Sequence, residues 1–111
     1  MEQIVTKVNV LGTEYEISIN GKDPHFKHDI DGYCDETTKK IVIDEMIPDE
    51  MSVGDLKDFQ NKVIRHELIH AFLFESGLAE CSDWARNEEM VDFFAKQFLK
   101  MQKSFEECGC L

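Results

Sequence analysis

A chain of 111 residues with 42% hydrophobic side chains, including eight Phe, can bury a modest core and fits one domain spanning 1–111, with no room for a separate recognition domain. Its 23 acidic against 12 basic residues give a formal charge of -11, a field that repels phosphate backbones and anionic lipid surfaces and so argues against nucleic acid and membranes as partners. Met1 to Lys7 shows no basic segment followed by an apolar one, and no apolar run approaches bilayer length; the expected compartment is the cytoplasm, where Cys34, Cys81, Cys108 and Cys110 are expected to be reduced thiols.

Along the chain, Ile4, Val8 and Val10 and then Tyr15, Ile17 and Ile19 fall into alternating patterns around the turn-prone Leu11-Gly12-Thr13, which predicts a hairpin. Asn20-Gly21 stops the second strand, and residues 22–32 hold Pro24, Gly32 and many charges without a period, as an irregular connection does. Tyr33-Cys34 and Ile41-Val42-Ile43, separated by a polar stretch, suggest a second hairpin whose later arm, Lys40 to Asp44, joins the same small sheet, and Pro48 closes the β half.

Ser52-Val53-Gly54-Asp55 fits a helix start, with Ser52 as cap and Asp55 near the positive end of the dipole. The helix should run through Leu56, Phe59, Val63, Ile64, Leu68, Ala71 and Phe72 to about Glu75, ended by a left-handed Gly77. Leu68 to Phe74 is apolar nearly all round except at His70, which predicts burial on more than one side. After a link over 78–82, Ser82 can cap a second helix with Trp84, Val91, Phe94, Phe98 and Met101 on one face, ending near Glu107. With no internal repeat or low-complexity tract, the expected class is α+β: a small, mostly antiparallel sheet followed by two long helices.

The chemistry concentrates in Arg65-His66-Glu67-Leu68-Ile69-His70, an H-E-x-x-H pattern inside the first predicted helix. Helical geometry sets His66 and His70 about 40° apart around the axis and roughly 6 Å along it, so both imidazoles can reach one ion. Glu67, at the edge of that face, is placed to meet a metal-activated water as general base. Random sequence of this composition would give the pattern only roughly 0.02 times. Two buried imidazoles beside apolar neighbours need partners for their nitrogens, and a single Zn2+ ion satisfies one on each.

A tetrahedral site with an open position needs a third protein ligand. Asn87-Glu88-Glu89-Met90-Val91-Asp92 offers Glu88 as that ligand and Asp92, four residues on, as acceptor for the far nitrogen of a metal-bound His. Glu89 competes for the ligand role but points about 100° away from Glu88. Tyr33, His28 and Arg86 are donors without a diagnostic spacing for an oxyanion. His25 and His28 read as solvent-exposed, Asp29-Ile30-Asp31-Gly32 lacks the spacing of a calcium loop, and Cys108-Gly109-Cys110 has no second pair to complete a metal site.

His66-Glu67-Leu68-Ile69-His70 followed by Asn87-Glu88 and Asp92 resembles the gluzincin metallopeptidases, which implies Glu88 as third zinc ligand. The arrangement is similar to the ImmA/IrrE-like peptidases and, over nearly the whole chain, including Gly32-Tyr33-Cys34-Asp35 and Phe72 to Leu78, to short metallopeptidase-like proteins of phages and prophages. The resemblance implies a minimal zincin-like domain hydrolysing peptide or protein substrates, with Lys39 to Asp44 pairing with extended substrate. The larger gluzincins have a second lobe with His or Tyr residues that steady the oxyanion, for which this chain has no room. The rival reading is a zinc-binding regulatory or interaction module with little or no catalysis; Glu67 favours catalysis, because a structural site gains nothing from an acid beside an open position. His, His and Glu also suit iron, cobalt or manganese, and the sequence specifies neither the substrate nor the oligomeric state.

Overall fold

In a computed structural model, residues 4–21, 23–24, 30–46 and 55–111 are described. The first hairpin, β1 (Ile4–Val10) and β2 (Thr13–Ile19), closes through a two-residue loop in which Leu11 and Gly12 both take positive φ, 51° and 94°. Such a turn matches the right-handed strand twist. Asn9 supports it by accepting a hydrogen bond from the Gly12 amide at 2.8 Å, and Val8 faces Tyr15 across the pair. The second hairpin, β3 (Gly32–Asp35) and β4 (Lys40–Ile43), turns on Asp35, whose carboxylate accepts from the Thr37 amide and hydroxyl at 3.0 and 2.6 Å.

The hairpins join side by side in the order β1-β2-β4-β3, with β2 and β4 parallel and Ile17 beside Ile41. Two of the three pairings are antiparallel, as expected of the sheet. The expectation that Lys39 to Asp44 pairs with substrate is corrected here: β4 has a strand on each side, so its hydrogen-bonding groups are already used. Among the described residues the sheet edges are β1 and β3.

α1 (Leu56–Glu75) lies on the sheet, packing Val63 and Ala71 against Val10, Tyr15, Ile17, Ile41 and Ile43. Asp55 caps it, accepting from the Asp58 amide at 2.9 Å, so Asp55 is the cap itself and not a first-turn acid; Ser52 and Pro48 lie outside the described residues, as do His25, His28 and Asp29. Gly77, at φ 84°, follows the last turn as expected. The apolar run is less enclosed than its composition predicts: Ala71 is buried toward the sheet, whereas Phe72 stays 43% exposed on another flank.

The second helix starts later than expected. Leu78–Glu80 and Trp84–Arg86 form short 3-10 turns, and α2 (Glu88–Glu107) is capped by Asn87, which accepts from the Met90 amide at 2.8 Å. Ser82 does not cap α2 because the 3-10 turn after it ends at Asn87, whose extended backbone (φ -77°, ψ 115°) separates that turn from α2. The Ser82 amide donates to the Leu78 carbonyl at 2.8 Å, and Arg86 donates to the Ala79 carbonyl and the Asp83 carboxylate, holding the two turns together. Trp84 therefore sits outside α2, 55% exposed. α2 folds back along α1, and the result is the α+β arrangement of a four-stranded mixed sheet followed by two helices. Among the described residues no helix is long and apolar enough to cross a membrane.

Candidate metal centre

One turn of α1 separates His66 from His70, and both rings face α2, with centroids 5.0 Å apart. Because Asn87 fixes where α2 begins, Glu88 is its first residue and projects from the positive end of the helix dipole, a favourable place for a carboxylate. Glu88 Oε1 lies 2.5 Å from His70 Nε2 and Oε2 lies 3.6 Å from His66 Nε2. One donor atom from each of His66, His70 and Glu88 falls within 4.8 Å of the other two, so the trio can hold a metal ion. Glu89 does not join this group; the 100° step around the helix turns it away. Glu88 is 70% exposed, which leaves one side of the group open to solvent.

Asp92, one turn further along α2, sits on the other nitrogen of His66, with Oδ1 3.4 Å from Nδ1. Lys96 lies 2.9 Å from its second oxygen and Lys62 3.8 Å from Oδ1. The Lys96 ammonium foremost, with Lys62 and the His66 hydrogen bond adding to it against some burial, holds the Asp92 carboxyl below its usual range. An ionised acceptor on Nδ1 keeps the proton there and leaves the Nε2 lone pair for a ligand role. The two lysines were missed in the sequence; Asp92 and Lys96 at i,i+4 were a legible signal, whereas Lys62 required knowledge of how the helices cross.

Glu67 points from α1 toward the sheet and is only 9% exposed. It borders a cleft of about 220 Å3 lined also by Gly32, Lys62, Val63, His66 and Asp92, between β3 and the helices. Burial foremost, with Glu88 adding and His66 opposing, pushes the Glu67 carboxyl up to about 7. Burial likewise lowers the His70 pKa against the pull of Glu88, favouring the neutral imidazole that a metal requires. Gly32 makes the cleft this narrow: a Cβ there would stand 3.0 Å from Ile43 Cδ1 and 3.1 Å from both the Val42 carbonyl oxygen and Val63 Cγ1.

The oxyanion candidates fall elsewhere. Tyr33 donates to Asp23 at 2.6 Å, Arg86 is engaged with Ala79 and Asp83, and His28 lies outside the described residues. Cys34 is held as a thiol, its pKa pushed up to about 12 chiefly by burial, and no cysteine joins a metal-binding group among the described residues. In comparisons with known proteins, no family model, no curated protein and no solved structure matches this chain.

Proposed function

We propose that the chain is a small zinc metallopeptidase of the gluzincin, ImmA/IrrE-like type and that it hydrolyses peptide bonds in the cleft between β3 and α1. The observation that carries this reading is the convergence of His66, His70 and Glu88 beside a buried Glu67. Two imidazole nitrogens and one carboxylate oxygen with an open side suit zinc in a hydrolytic site. Bound there, zinc would polarise the peptide carbonyl and acidify a water molecule.

The chain's own residues then do the rest of the work. Glu67, facing the cleft, takes the proton from the attacking water and returns it to the leaving amine as the C–N bond breaks, so no net proton is consumed by the side chain. Asp92 orients His66 through Nδ1. β3 replaces β4 as the strand offered to an extended peptide, since its outer edge pairs with no strand among the described residues and Gly32 borders the cleft.

The alternative, a zinc-binding regulatory or interaction module, gains support from Tyr33 and Arg86, whose polar groups are engaged away from the metal group. Glu67→Gln separates the two. Under the peptidase reading, wild type and variant both take up one equivalent of zinc by elemental analysis, while cleavage of a peptide library falls roughly 100- to 10,000-fold in the variant. Zinc in both with cleavage in neither supports the module, and no zinc in wild type supplied with the metal overturns both readings.

A further inference from the structure

The two helices carry an apolar face on the flank turned away from the sheet. α1 contributes Leu68, Ile69 and Phe72, which with Phe98 of α2 and the stem of Arg65 line a recess of about 210 Å3. Along α2, Val91, Phe94, Phe98, Met101 and Phe105 recur at alternating spacings of three and four, the pattern of a helix seam. The stripe is unevenly covered, with Phe94 and Met101 half-buried. Val91 is fully buried, whereas Phe72, Phe98 and Phe105 remain 43%, 48% and 43% exposed. Leu99 and Lys100 lie opposite Asp55 and Asp58 at the start of α1, so the last turns of α2, including Phe105, continue past the helix they pack on.

We infer that a second copy of the same chain covers this face, in a two-fold dimer whose α2 helices cross antiparallel about Met101 and Gln102. That crossing sets Phe105 of each copy against Phe98 and the Phe72 recess of the other. A two-fold interface must be self-complementary, and this face carries both the recess and, seven residues further along the same stripe, the aromatic side chain to fill it. The flanks of the stripe are Gln97, Gln102 and Ser104, so two chains of charge -11 meet there without like charges in the seam. The exposed rings supply a substantial part of the area that a dimer needs. Three half-exposed Phe rings leave about 90 Å2 each, roughly half the apolar part of a standard interface of about 800 Å2 per partner.

A lipid surface fits less well. The field of a chain with a net charge of -11 repels the anionic headgroups that draw an amphipathic helix to a membrane.

Light scattering and sedimentation equilibrium on the full chain test this. The expected mass is twice 12.9 kDa, with a melting temperature that rises with protein concentration. Phe98→Glu combined with Phe105→Glu should weaken association roughly a hundredfold or more, with helical circular dichroism retained because both rings are already half exposed. Lys103→Glu, on the far side, should leave the dimer intact. A wild-type chain of single mass whose melting temperature is independent of concentration overturns the proposal, and this readout holds even if the double variant does not fold. A dimer that survives the two Phe substitutions overturns it too, as does a monomer that binds phosphatidylglycerol vesicles.

Discussion

Two of the acids on α1, Glu67 and Glu75, meet opposite fates, and the contrast shows how the surroundings of a carboxyl set its charge. Glu67 lies buried beside the trio of His66, His70 and Glu88, with burial raising its carboxyl to about 7. Glu75, two turns later, is also well covered, yet it accepts hydrogen bonds from Lys39 Nζ at 2.9 Å and from the Tyr15 hydroxyl at 2.7 Å. Those partners, Lys39 foremost, pull its carboxyl down to about 2. An acid at the negative end of a helix dipole is unfavourable on its own, so the Lys39 ammonium compensates both the dipole and the lost water. The two bonds anchor the end of α1, the Tyr15 bond to β2 and the Lys39 bond to the β3–β4 turn. Partners decide one outcome and depth the other: Glu75 has a cation and a phenol, whereas burial outweighs the charges around Glu67.

Three substitutions would break or sharpen this contrast. The largest effect is expected at the cleft end, with His66→Ala. If zinc in thousandfold excess over its dissociation constant stabilises the wild type by about 4 kcal/mol, removing one of three ligands should abolish most of that gain, which thermal melts with and without zinc would show; an unchanged zinc-dependent shift would refute the ligand assignment. Asp92→Asn should act less strongly, lowering zinc affinity by about 10- to 100-fold while leaving stoichiometry at one, as titration against a competing chelator would reveal.

The smallest effect, and the one that isolates the other end of α1, is Glu75→Gln. The folded-state pKa of Glu75 lies below its ordinary value of 4.5, so the unfolded chain binds more protons and the contribution is fully present above that value. Wild-type stability should therefore fall as pH drops from about 4.5 toward 2. Denaturant melts across that range should show a shallower decline for Glu75→Gln, and an identical slope would remove Glu75 from the acid response.

The hairpins and the long helices were legible in sequence because each depends on local pattern: alternation around Leu11-Gly12, the apolar spacing of α1, and Gly77 at its end. The trio of His66, His70 and Glu88 was legible for a related reason, since helical spacing fixes the first two and a single turn-back brings in the third. What escaped was set by pairing over distance. Nothing in Lys40 to Asp44 says that β4 pairs parallel with β2 and thereby loses its free edges. The start of α2 escapes the sequence because Ser82 and Asn87 are both competent caps, and only the extended backbone at Asn87, which divides the Trp84–Arg86 turn from the helix, decides between them. Lys62 needed the helix crossing.

The parallel seam between β2 and β4 also has a kinetic side. Each hairpin closes through a short loop and can form early, whereas the seam joins segments separated by the long connection after Asn20 and forms only once that loop is closed. β3, with the Gly32 wall of the cleft, belongs to the second hairpin. Assembly of the pocket around Glu67 thus needs the non-local docking of β3 on α1, even though both histidines already stand one turn apart as soon as α1 has wound.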